Sequence, residues 1–126
     1  MIKRTCHTVM LKDKTPSEID EPESLILMKR IFYRSALTPK IALELYKLIK
    51  TNQGEEGYRG GSWLHEAEII GRKLNLNIKA FEIQHCLKTL RGIGLINKHG
   101  WRYKTSEVLI LRLKRLTEIA EALMKQ

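Results

Sequence analysis

The chain has 126 residues, 43% of them hydrophobic, and carries 23 Lys plus Arg against 14 Asp plus Glu for a net charge of +9. That length and apolar content suit one domain with terminal extensions and a modest core, and no apolar run approaches the roughly 20 residues that would span a bilayer. Excess positive charge favours a polyanion partner through counterion release, although charge alone equally describes a solubilising surface.

The start, Met1 to His7, has no uninterrupted apolar stretch behind its positive charge, so no secretory leader and a cytoplasmic location are expected. Cys6 and Cys86 lie far apart and outside any CxxC spacing, which gives neither a disulfide framework nor a zinc site. The charge is spread along the chain: net +2 over the first 37 residues, +4 over 38–100 and +3 over 101–126.

Residues 1–24 lack periodicity, and Thr15 to Ser24 is acidic, polar and broken by Pro16 and Pro22. A flexible N-terminal segment is expected there, with a short strand at Val9-Met10-Leu11. Three roles for this segment stay open: a DNA-contacting arm, a tail that binds a further protein partner, or simple disorder. Leu25 to Tyr33 is apolar enough to pack on the main domain and is read as a helix.

Thr38-Pro39 is a helix start, with a favoured N-cap followed by proline at the first position, where a missing N–H costs nothing. Ile41, Leu45, Leu48 and Ile49 then recur at helical spacing, predicting a helix over 39–51. Gly54 to Gly61 holds four of the eight glycines and is read as a loop. It lacks the GxxxxGKT order of a phosphate-binding loop.

The next helix is predicted from Trp63 to Leu74, burying Leu64, Ala67, Ile70 and Leu74. A short turn, Asn75-Leu76-Asn77, leads with Asn77 as cap into a third helix from Ile78 to Gly92 that buries Ala80, Ile83, Leu87 and Leu90. Gly92-Ile93-Gly94 closes it. Leu95-Ile96-Asn97 reads as a strand, Lys98-His99-Gly100 as a turn, and Trp101 to Lys104 as a return strand whose aromatics face the core. Ser106 caps a last helix that runs to about Lys125.

Two helices joined by a three-residue turn and followed by a basic hairpin resemble the winged helix-turn-helix DNA-binding domains of the broad MarR/PadR kind. The resemblance covers residues 38–105. It is carried by Glu68 to Ile96, above all Leu87-Lys88-Thr89-Leu90 and Gly94-Leu95-Ile96, with Trp101-Arg102-Tyr103-Lys104 behind them. It implies a mainly α fold with a small β-hairpin wing, double-stranded DNA as partner, and a second motif helix that enters the major groove. The domain layout becomes a segment over 1–24, the winged domain with its packing element over 25–105, and a C-terminal helix over 106–126.

With Ile83, Leu87 and Leu90 inward, Lys79, Gln84, His85, Lys88 and Arg91 face outward. Gln84 and His85 are the candidates for base edges, Lys79 and Lys88 for phosphate or guanine. The wing offers Lys98, His99, Arg102 and Lys104, and Arg72 and Lys73 end the first motif helix.

Leu109, Leu113, Leu116, Ala120 and Leu123 follow one another at steps of four, three, four and three, a short heptad seam. A homodimer through that helix is expected, presenting two recognition helices to a palindromic site. The four histidines and the carboxylates form no catalytic or metal-ligand spacing, so neither an enzyme nor a cofactor is implied. A dimeric repressor or autoregulator is the leading expectation. An architectural or plasmid-partition-type protein spreading on DNA, or a winged-helix adaptor for other proteins, stands beside it.

Overall fold

The computed structural model describes residues 13–126. The expected strand at Val9 to Leu11 lies outside them. Five α-helices and one three-stranded antiparallel sheet make up the described residues, in the order α1 (Glu23–Ile31), α2 (Thr38–Asn52), β1 (Tyr58–Arg59), α3 (Leu64–Leu74), α4 (Ala80–Ile93), β2 (Ile96–His99), β3 (Arg102–Thr105) and α5 (Val108–Met124). The architecture is therefore mainly helical with a small β-wing. No described helix is long and apolar enough to cross a membrane.

Helix α2 is the hub. Its Leu45 and Ile49 are fully buried, and α1, α3, α4 and β3 all pack against it. Gln53, at its C-terminal end, holds the base of the hairpin: its Oε1 accepts the Thr105 N–H at 2.8 Å and its Nε2 donates to Thr105 Oγ1 at 3.1 Å. Burial of Ile83, Cys86, Leu87, Leu90 and Ile93 fixes which side of α4 faces in. The α3–α4 turn is closed by Asn75 in the left-handed conformation and by the Leu76 N–H donating to Gly71 C=O at 2.8 Å. Gly71 is required by close approach, because a Cβ there would stand 2.7 Å from Leu76 C=O. The turn can then fold back tightly enough to set α4 across α3.

Several expectations shift. Residues 15–22 carry a turn of 3-10 helix at Pro16–Glu18 and lie against α1, and Glu23 and Ser24 belong to α1 itself, so the expected flexible connection is corrected over 15–24. Glu18 and Arg30 are both buried and form a two-pronged ion pair, Nη2 to Oε1 at 2.7 Å and Nη1 to Oε2 at 3.1 Å. The Thr15 N–H also donates to Glu18 Oε1, at 3.0 Å. These contacts, led by the guanidinium, hold the Glu18 carboxyl well below the ordinary range.

The glycine-rich loop contains β1, which pairs with β3 at Tyr58↔Tyr103 and Arg59↔Arg102 and makes the hairpin a three-stranded sheet of order β1-β3-β2. Leu64 is exposed, not buried, because Trp63 takes a left-handed backbone (φ 67°) and fills the core in its place. The N-cap of α4 is Lys79 rather than Asn77; its N–H donates to the Glu82 carboxylate at 2.9 Å. Both hairpin strands begin one residue later than expected, and the first ends two residues later. Strand β2 continues to His99, Gly100 and Trp101 form the loop, and β3 begins at Arg102. Tyr103 is buried as expected, whereas Trp101 is 73% exposed.

Candidate nucleic-acid interface

Helix α4 and the hairpin bound an open groove of about 380 Å³. Its floor is aromatic: Trp63 meets Tyr103 edge-on at 5.2 Å and stacks on Tyr58 at 6.0 Å. Burial, together with the Tyr58 hydroxyl donating to Glu66 at 2.9 Å, raises the Tyr58 phenol far above its ordinary value. Gln84, Lys88 and Arg91 of α4 form one wall, at steps of four and three that place them on a single stripe. Lys98 of β2 forms the other; its Nζ lies 5.5 Å from the centre of the Trp101 ring and 5.6 Å from that of Tyr103.

Charge pairing divides the candidate cations. Arg72 is paired with Glu68 on its own helix, Lys73 with Glu44 at 2.7 Å, and Arg102 with Glu56 at 3.6 Å and Gly57 C=O at 3.4 Å. Lys88, Arg91 and Lys98 have no carboxylate partner among the described residues, so their charge faces the groove uncompensated. Lys79 lines a separate depression along the α3–α4 turn. Lys104 sits partly exposed on β3, and His99 is exposed at the end of β2.

His85 parts company with Gln84. Its ring meets Phe32 edge-on at 6.4 Å and lines a pocket with Ile31, Tyr33, Ser35 and Thr38, on the α1 side of α4 rather than in the groove. Two aromatics are exposed here, Phe81, which was not picked out in the sequence, and Trp101, which was expected to face the core. Phe81 is 64% exposed in the first turn of α4, and Trp101 stands at the apex of the hairpin. The signal for Phe81 is simple: a helix that buries positions 83, 87 and 90 leaves 81 outside. Arg112 of α5 joins Lys88, Arg91 and Lys98 around a second hollow and donates to Gly92 C=O at 2.8 Å.

Burial, with the Glu82 charge adding to it, pushes the Cys86 thiol up to about 12. Among the described residues no group of three or more His, Cys, Asp or Glu is placed to hold a metal ion.

Comparison with protein-family models, curated proteins and solved structures finds no match to this chain.

Helix α5 is the other exposed element. Only Leu109 is buried, and Leu113 packs partly on the body. Leu116, Ile119, Ala120, Leu123 and Met124 are exposed. The heptad seam thus divides, its first two leucines taken up by the domain and its remainder without a partner in the described chain.

Proposed function

We propose that the chain binds double-stranded DNA as a homodimer, with α4 in the major groove and the hairpin lying along the adjacent backbone, and that it acts as a sequence-specific repressor or autoregulator. The observation that carries this reading is the groove where uncompensated Lys88, Arg91 and Lys98 stand beside Gln84. Cations left without a carboxylate partner among the described residues favour phosphate, and an exposed amide beside them can bond the N6 and N7 of adenine together. Gln84 and Phe81 on the outer stripe of α4 favour base reading over sequence-blind coating, since a phenyl ring also suits the thymine methyl group. The apolar remainder of α5 supplies a surface on which two copies can pair.

The test is duplex affinity measured across salt concentration. Wild-type affinity should fall steeply with salt. Replacing Lys88, Arg91 and Lys98 together with alanine should reduce the log–log slope by about 3 per protomer, near 0.9 for each lost phosphate contact. A triple variant with unchanged affinity and slope would remove the groove from the reading.

A further inference from the structure

Among the described residues the Trp101 side chain takes no part in the buried core. Trp63, Tyr58 and Tyr103 already fill the core beneath the sheet, and the Trp101 indole lies outside it, 73% exposed at the tip of the hairpin. Yet its backbone is held from two directions. The hairpin loop consists of Gly100 and Trp101 alone, closed by the His99↔Arg102 pair. Gly100 (φ +62°) takes the positive φ that the first position of such a loop demands. On the other side the Trp101 C=O accepts the Gly60 N–H at 2.7 Å, tying the apex to the chain beyond β1. Lys98 steers the indole, its ammonium near the ring face. The result is a large flat apolar group, presented on a restrained backbone at the rim of the cationic groove.

We propose that Trp101 is an aromatic wedge that enters the minor groove, stacks at an opened base step and bends the duplex. The inference rests on the DNA-binding reading above. Apolar side chains inserted between base pairs partially unstack them and kink the duplex. The stacking lost between bases is recovered in part by stacking on the indole. Pyrimidine–purine steps open most readily, so the wedge creates a preference for TA or CA beneath the wing without any hydrogen bond to those bases. Lys98 can hold the flanking phosphate while the indole enters, which explains why cation and ring occupy the same apex.

The test uses two duplexes of about 25 base pairs, one with central TA and CA steps and one with an uninterrupted purine strand, each carrying a donor and an acceptor dye at its ends. Wild-type protein should shorten the end-to-end distance and bind the TA/CA duplex more tightly. W101A should bind that duplex about tenfold more weakly, the scale of one lost base–aromatic stack. It should leave the duplex straight and keep the wild-type salt slope, because Lys88, Arg91 and Lys98 remain. W101F should retain most of the bend. The buried Trp63 reports by its near-ultraviolet circular dichroism that each variant is folded. A W101A variant that bends and binds like wild type overturns the wedge alone, as does wild-type protein that binds both duplexes equally and leaves them straight. Folded wild-type protein that binds neither duplex at low salt overturns the DNA-binding reading and the wedge with it.

Discussion

Helices α4 and α5 are both amphipathic and of similar length, 14 and 17 residues, yet they meet their surroundings in opposite ways. Helix α4 buries five apolar side chains in its own domain, and most of what it shows outward is polar or cationic. Helix α5 buries one, and much of what it shows outward is leucine and isoleucine. Apolar spacing fixes which side of a helix seeks cover; it does not say whose surface supplies it. What remains exposed after folding is the better guide to partners, and the proposed function assigns a polyanion to the cationic stripe of α4 and a second copy to the apolar stripe of α5.

The sharpest way to break this contrast is to truncate one leucine on each helix. Leu90 is fully buried, so Leu90→Ala should cost about 2–5 kcal/mol of stability in urea unfolding. Leu116→Ala, measured where the protein is monomeric, should stay within about 0.5 kcal/mol. Equal losses would mean that α5 folds back onto the body. The double change Leu116→Asp with Leu123→Asp should convert a dimer into a folded monomer in sedimentation, since burying each leucine is worth roughly 1.5–3 kcal/mol and a buried unpaired charge opposes association further. A double variant that stays dimeric would place the interface elsewhere.

Within α4, Gln84→Ala should cost about 1–3 kcal/mol of discrimination at one base pair, whereas His85→Ala, on the side packed against Phe32, should change duplex affinity by under about 0.5 kcal/mol. A competition assay with single-base-pair variants of the site separates the two. The smallest effect concerns the docked N-terminal turn. A carboxyl whose pKa is depressed on folding contributes stability above its unfolded value, about 4.3 for Glu, and loses that contribution as pH falls towards the folded value. The melting temperature should therefore drop on acidification below that unfolded value, and Glu18→Gln should lower it near neutrality while flattening the acid dependence. A wild-type acid limb unchanged by that substitution would show that the pair does not anchor the segment.

The helices were legible in the sequence because each carries its own period and its own stop: Ile83, Leu87 and Leu90 need no knowledge of the rest of the chain to face the same way. Strand β1 was not, since two residues among glycines have no alternation to read, and only pairing with Tyr103 and Arg102 makes Tyr58–Arg59 a strand. The hairpin illustrates how little error suffices. Ending β2 at His99 instead of Asn97 puts Trp101 in the loop and turns an expected core residue into an exposed one. In the site, outward direction was readable for Gln84, His85, Lys88 and Arg91, but what each faces was not. Phe32 takes one side of α4 and the hairpin takes the other. The same limit hid the Glu18–Arg30 pair, whose members are twelve residues apart across a proline.

Selection of bound sequences from a random duplex library at physiological salt tests the central claim most directly. The account predicts an enriched inverted repeat with half-sites about one helical turn apart, with flexible pyrimidine–purine steps where the hairpin falls. Folded protein that retains no DNA from the library would contradict it.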